Sequence, residues 1–167
     1  MRSIPVIHGA LRRWLGLCAV LAALVPVGAI AAQSGLETFD HDSLVIQTAQ
    51  GARHTFSVEI ARTPEQQMQG LMYRRSMPAD SGMLFVYGQD APIAMWMKNT
   101  LIPLDMVFIA RDGRIVYVFE RAVPMSLETI TADRPVAGVL ELNGGTAARL
   151  GISEGGRVLY PAFNGGS

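Results

Sequence analysis

Cysteine occurs once in the 167 residues, at Cys18, and lysine occurs once, at Lys98. A lone cysteine excludes an intramolecular disulfide framework and a thiolate-rich metal site. Clustered positive charge is scarce too. Past residue 31, Arg74-Arg75 is the only adjacent basic pair, so nucleic acid is not an expected partner. No G-x-S-x-G occurs, which removes the serine elbow of the α/β-hydrolases. His41 and His54 are the only histidines past His8, and their spacing suits neither a zinc site nor a catalytic dyad. Nothing in the spacing brings Ser81 or Ser126 to Lys98 as a serine–lysine dyad.

What the chain has at its start is an export pattern. Arg2, Arg12 and Arg13 precede an apolar run over 14–30, no acidic residue occurs before Glu37, and Ala29-Ile30-Ala31 gives an A-x-A site. A basic start, an apolar stretch and small residues at the end describe a secretory signal peptide. The expectation is residues 1–31 as a signal peptide cleaved near Ala31, and a periplasmic or secreted protein. The alternative is an uncleaved inner-membrane anchor, because the run is near the lower limit of about 17–25 residues for a span. Cys18 lies inside the run behind Leu17, where a lipidation signal would need a small residue. Removal of this segment leaves a mildly acidic chain without cysteine.

The remainder reads as a linker over 32–42, one domain over 43–163 and a short tail over 164–167. Short apolar runs alternate with turn signals, the pattern of a mostly-β domain. Strands are expected over 55–60, 83–87, 93–99, 104–110, 114–120, 136–142 and 157–160. Thr63-Pro64-Glu65-Gln66 opens a helix, with Thr63 as N-cap and Gln66 completing a capping box, and Gly70 closes it. Asn143 can cap a second helix running to Leu150, with Gly151 after it. Asp112-Gly113 predicts a two-residue type I′ hairpin.

Parity then distributes side chains. That hairpin sets Ile109 against Val116, Val107 against Val118, and Asp105 against Glu120. A four-residue loop over 100–103 would set Lys98 against Asp105 and Trp96 against Val107. One face of this meander carries Met95, Met97, Leu104, Met106, Phe108, Ile115, Tyr117 and Phe119, a core face. The other carries Trp96, Val107, Val118, Ile109 and Val116, with Lys98, Asp105 and Glu120 at one rim. A loop longer by one residue would separate Lys98 from Asp105, and Arg74 is then the competing partner for the carboxylate.

The second face suggests three kinds of use. A flat aromatic, an aliphatic floor and rim charges suit a small polar or carbohydrate-like ligand, or an envelope partner. Lys98 carries weight here because arginine supplies every other non-histidine cation, and a lysine offers rotatable donors and a tunable pKa. Alternatively, Asp105 and Glu120 could approach the carboxylate spacing of a retaining glycosidase, making an envelope hydrolase. Third, eight methionines between Met68 and Met125 could hold copper(I). Methionine is more often a core filler, and Met68 and Met72 are spaced as the buried side of a helix. No metal or cofactor is expected.

Gly70-Leu71-Met72-Tyr73-Arg74, Gly82-Met83-Leu84-Phe85-Val86 and the run Met95-Trp96-Met97-Lys98-Asn99-Thr100 with Pro103-Leu104-Asp105 resemble the bacterial and archaeal domain of unknown function 192. The resemblance spans roughly 56–160. It implies a compact barrel or sandwich, mostly β, with one or two short helices, and it brings no established activity. Its polar and aromatic positions fall on Arg74, Trp96, Lys98, Asn99, Thr100, Asp105 and Glu141. With Glu120 from the parity argument, these are the candidate binding residues; a catalytic set is not assigned. Two departures stand out. Gly144 occupies the alanine position of the pattern before the last helix, and Gly156 takes a usually acidic place.

Overall fold

The computed structural model describes residues 36–163. The expected signal segment, Cys18 and the tail over 164–167 lie outside the described residues. Nine strands and two short α-helices follow in the order β1 (Asp40–Gln47), β2 (Arg53–Ala61), α1 (Pro64–Gln69), β3 (Ser81–Ala91), β4 (Ala94–Met95), β5 (Leu104–Ile109), β6 (Ile115–Ala122), β7 (Ile130–Thr131), β8 (Val136–Asn143), α2 (Thr146–Leu150) and β9 (Arg157–Leu159). The first strand therefore begins inside the stretch expected to be a linker.

Seven strands form one curled sheet in the order β6-β5-β8-β3-β2-β1-β9, and β4 with β7 forms a separate two-stranded piece. The curl makes a half-barrel whose edges touch at one corner. Ile115 N–H donates to Gly156 O at 2.8 Å, and Val158 N–H donates to Gly113 O at 2.8 Å. Strands β2 and β3 are parallel, so the chain must cross over between them, and α1 with the loop after it makes that crossing.

The crossover begins as the sequence predicts. Gln66 N–H donates to Thr63 Oγ1 at 3.2 Å, and the Gln66 side chain accepts from Thr63 N–H at 3.2 Å. Gly70 closes the helix with φ at 49°. Thr63→Ala should remove about 1 kcal/mol of stability, the usual worth of such a cap, read as a shift in urea midpoint at unchanged m.

Both faces of the sheet centre are covered. Inside the curl lies a cluster of Leu44, Ile46, Phe56, Val58, Ile60, Leu84, Val107, Ile109, Ile115, Leu140 and Leu142, closed by Tyr160 and Phe163. On the outer face, Met83, Phe85, Met106, Phe108 and Val139 pack under Leu71, Met95, Met97 and Ile130. All six residues of β5 are buried. The face expected to be open for a ligand is thus the main core, since Val107 and Ile109 have no exposure. Gly138 reflects how tight this packing is: an added Cβ would lie 2.5 Å from the Phe163 ring.

Hairpin register held in the middle and failed at both ends. Val107 pairs with Val118 as parity requires, but Ile109 pairs with Ile115 and Leu104 with Ala122. Gly113 alone takes a positive φ, 84°, at the turn, and Ala110 N–H bonds to Arg114 O. The connection is therefore a longer turn with a bulge, not the type I′ turn, which needs two positive φ values. The bulge moves Ile115 into the inner cluster and Val116 to the outer one, because one residue of slip reverses faces.

Candidate functional site

The run 93–100 does not continue into a ladder with β5. Ala94 and Met95 pair with Thr131 and Ile130, and the chain then turns over 97–100, where Thr100 N–H donates to Met97 O at 3.0 Å. Asn99 sits at the turn with φ 56°, a conformation asparagine tolerates better than most residues. Tyr73 is also left-handed, at φ 66°. The two lock together. Tyr73 N–H donates to Asn99 O at 2.9 Å, and Asn99 Nδ2 donates to Tyr73 Oη at 3.0 Å. Two residues held in a costly conformation thus join the loop after α1 to the turn, and such strain gathers at sites that must be held in shape.

A two-lobed groove runs between these walls. The inner lobe, about 310 Å³, is lined by α1 and the loop after it together with Phe85, Tyr87, Met95, Trp96, Thr100 and Glu141. The outer lobe, about 530 Å³, adds Glu37, Glu65, Tyr73, Lys98 and Asn99. Met68, Gln69, Met72 and Trp96 line both. Trp96 is 48% exposed, and the Lys98 ammonium lies 5.2 Å from its ring centroid, within cation–π range.

Glu141 forms part of the lining of the inner lobe. It stands on β8 between Met83 and Met106 of the neighbouring strands, an apolar setting that leaves it 4% exposed. Its Oε2 finds no hydrogen-bond partner among the protein atoms. Burial pushes its pKa up to about 8, so the carboxyl is mostly neutral at pH 7. Burial, with Glu141 second, also holds the Tyr87 phenol above its ordinary range. Tyr87 Oη points its proton at Met95 Sδ, 3.5 Å away.

Five of the eight residues expected from sequence meet here: Trp96, Lys98, Asn99, Thr100 and Glu141. Three do not. Arg74 is forked onto Glu59 and lies 5.8 Å from the Phe39 ring. Glu120 is exposed and borders a shallow depression with Ile152, Ser153 and Glu154. Asp105 has no exposure at all. It accepts from Arg121 N–H at 2.8 Å, Gly145 N–H at 2.9 Å and Ala147 N–H at 2.7 Å.

Asp105 therefore pairs with neither Lys98 nor Arg74. It caps α2 from a distant strand, because the N-cap of that helix is Gly145, with no side chain to offer. Asn143, the expected cap, instead donates to Met77 O and Pro78 O. Gly144 fits against Pro103, where a Cβ would lie 3.0 Å from the ring. The hydrolase arrangement also falls. One carboxylate is sealed in by backbone amides and the other faces solvent elsewhere.

Gln69, Glu37 and Tyr87 were not singled out by sequence, and Met68 and Met72 were read as helix core rather than as groove residues. Met68 is 69% exposed and α1 buries none of its residues, so helical spacing misread it as core. Among the methionines, Met83, Met95, Met97 and Met106 are buried. No cluster of three or more His, Asp or Glu suited to a metal occurs among the described residues.

The profile of domain of unknown function 192, described as an uncharacterised ACR, matches residues 45–160. The chain belongs to this family. Two solved structures are similar to it over most of their length. One, from Sinorhizobium meliloti 1021, is described as a "putative transcription regulator"; it is 51% identical, with a TM-score of 0.72, over 74% of this chain and 96% of its own. The other is a protein of unknown function from Novosphingobium aromaticivorans DSM 12444. It is 38% identical, with a TM-score of 0.69, over 79% of this chain and 91% of its own. No curated protein matches.

Proposed function

We propose that this family member is an exported binding module whose groove takes a small polar ligand with an apolar side. The observation that carries the reading is Glu141. A buried carboxyl oxygen without a partner is costly, and Glu141 lines a groove that a ligand can enter. Trp96 offers a half-exposed ring for an apolar surface, Met68 and Met72 supply adaptable walls, and Gln69, Asn99 and Lys98 supply polar groups at the rim. A few polar groups converging in a largely apolar cleft is the usual composition of a small-molecule site.

The regulator description of the Sinorhizobium protein could suggest nucleic acid. Six arginines here, at 62, 74, 111, 114, 134 and 157, each lie within 4.0 Å of a carboxylate. Carboxylates interspersed in this way lower the net positive charge that phosphate contacts draw on, which weighs against strand binding. Export rests on the basic start, the apolar run and the A-x-A site.

Protein recovered from the envelope fraction of its native cell tests both parts. N-terminal sequencing should begin near Ala32, and an intact Met1 in the inner membrane would overturn cleavage. Mass spectrometry should find a small molecule with the wild type that is absent from Glu141→Leu and Trp96→Ala. Identical profiles for all three would remove the groove as the site.

A further inference from the structure

We infer that the groove selects an organic ammonium ion, with the charged nitrogen donating to Glu141 and the carbon chain lying along Met68, Met72 and the Trp96 ring. This rests on the reading of the groove as a ligand site and names the ligand class. Three lines of chemistry converge on it. The ionisable side chains lining the two lobes are Glu37, Glu65 and Glu141, the phenols Tyr73 and Tyr87, and one cation, Lys98. Glu37 and Glu65 outnumber Lys98 at the outer lobe, and Glu141 adds a negative charge to the inner lobe once it ionises, so the lining favours positive charge.

The neutral lining points the same way. Thioether sulfurs and aromatic faces are electron-rich surfaces, and Trp96 already accommodates one ammonium, that of Lys98, at 5.2 Å. A cation–π contact of that kind is how aromatic sites hold organic cations. The third line is the orphaned Oε2 of Glu141. Once ionised it needs hydrogen-bond donors, and a primary ammonium brings three. A quaternary ammonium brings none, so a primary amine is preferred. A bare metal ion suits the space less well, since the inner lobe is about 310 Å³.

Binding of this kind carries a proton signature. The ammonium arrives charged, and its field favours the ionised carboxylate, so the proton held by the Glu141 carboxyl passes to buffer. Tyr87 is the other titratable group of the inner lobe. Glu37, Glu65 and Lys98 belong to the outer lobe, farther from the deep carboxyl. Below the pKa of Glu141, each unit rise in pH should strengthen amine binding by about tenfold, and the gain should level off above it.

The test is calorimetric titration of the full protein with pentylamine hydrochloride, pentan-1-ol, sodium pentanoate and methyl glucoside. It is run from pH 6 to 9 in phosphate and in Tris, with Trp96 emission followed in parallel. Pentylammonium should bind at least tenfold more tightly than the alcohol or the carboxylate. Its apparent heat at pH 7 should differ between the buffers by close to one released proton. Glu141→Gln, near in shape and checked for folding by circular dichroism, should lose both the proton release and the pH dependence. Equal affinity for alcohol and amine, or a pH dependence that survives Glu141→Gln, would overturn the cation assignment and leave the ligand site standing. So would submicromolar copper(I) binding lost in Met72→Leu. If none of the four compounds changes Trp96 emission in the wild type while the control variant Trp96→Phe folds normally, both the cation assignment and the groove reading fail.

Discussion

Asp105→Ala should cost at least about 3 kcal/mol, taking roughly 1–3 kcal/mol for each donor left without a partner. Three are at stake: the N–H groups of Arg121, Gly145 and Ala147. They surround a carboxylate with no solvent exposure, so water cannot take its place cheaply. Two of the three open α2. A five-residue helix has little stability of its own and depends on its packing and caps. The first structural consequence should be loss of amide protection over 145–152 in hydrogen exchange.

Arg121 should loosen with it. It holds φ at 51°, a left-handed conformation that a side-chain-bearing residue keeps only when its surroundings demand it. By contrast, Lys98→Met should change stability by under about 0.5 kcal/mol, as surface substitutions usually do. The double variant with Asp105→Asn should be additive within about 0.5 kcal/mol, since the two share no partner. A coupling of 1 kcal/mol or more would contradict the placement of Asp105.

Glu141 should give the wild type an unusual pH profile. Its ordinary pKa of 4.5 rises to about 8 in the fold because burial disfavours the charged form. Between those values the native protein keeps a proton that the unfolded chain has released, so stability must fall as pH rises through that window. The contribution is fully favourable below pH 4.5 and fully lost above pH 8. At roughly 1.4 kcal/mol per unit, the loss across the window reaches about 5 kcal/mol as an upper bound. Glu141→Gln should flatten this slope. Glu141→Leu should be more stable than the wild type at pH 8, because an unpaired buried acid has been replaced by an apolar group of similar size, and it should lose the ligand. Urea midpoints at pH 5, 6, 7 and 8 check both, and parallel slopes for wild type and Glu141→Gln would show that another group sets the profile.

A buried carboxyl that lowers stability and could easily be removed is the pattern expected of a group kept for what it does. Stability and function commonly trade against each other at such positions.

Several features needed only the order of residues. Thr63 with Gln66 and Gly70 marked both ends of α1, because capping depends on contacts within a few residues. Alternation marked β2, apolar runs between turn signals marked β5, β6 and β8, and the family motifs marked Arg74, Trp96, Lys98, Asn99, Thr100, Asp105 and Glu141, of which Arg74 and Asp105 lie outside the groove. The faces and partners lay beyond that reach. The run 93–99 looked like one strand because Met95 and Met97 alternate with Ala94, Trp96 and Lys98, yet it pairs for two residues with β7 and then turns. With it went the expected Lys98–Asp105 contact, since parity across a ladder holds only where the ladder exists. The bulge at the turn end of the β5–β6 pair reversed Ile115 and Val116 for the same reason. Asp105 reads as a functional acid in sequence, and its helix-capping role appears only when β5 and α2, 40 residues apart, come together. Local chemistry determined which segments form and which residues are special. The tertiary fold alone decided which carboxylate is sealed within the structure and which lines a groove, because burial and hydrogen-bond partners are set by segments distant in the chain.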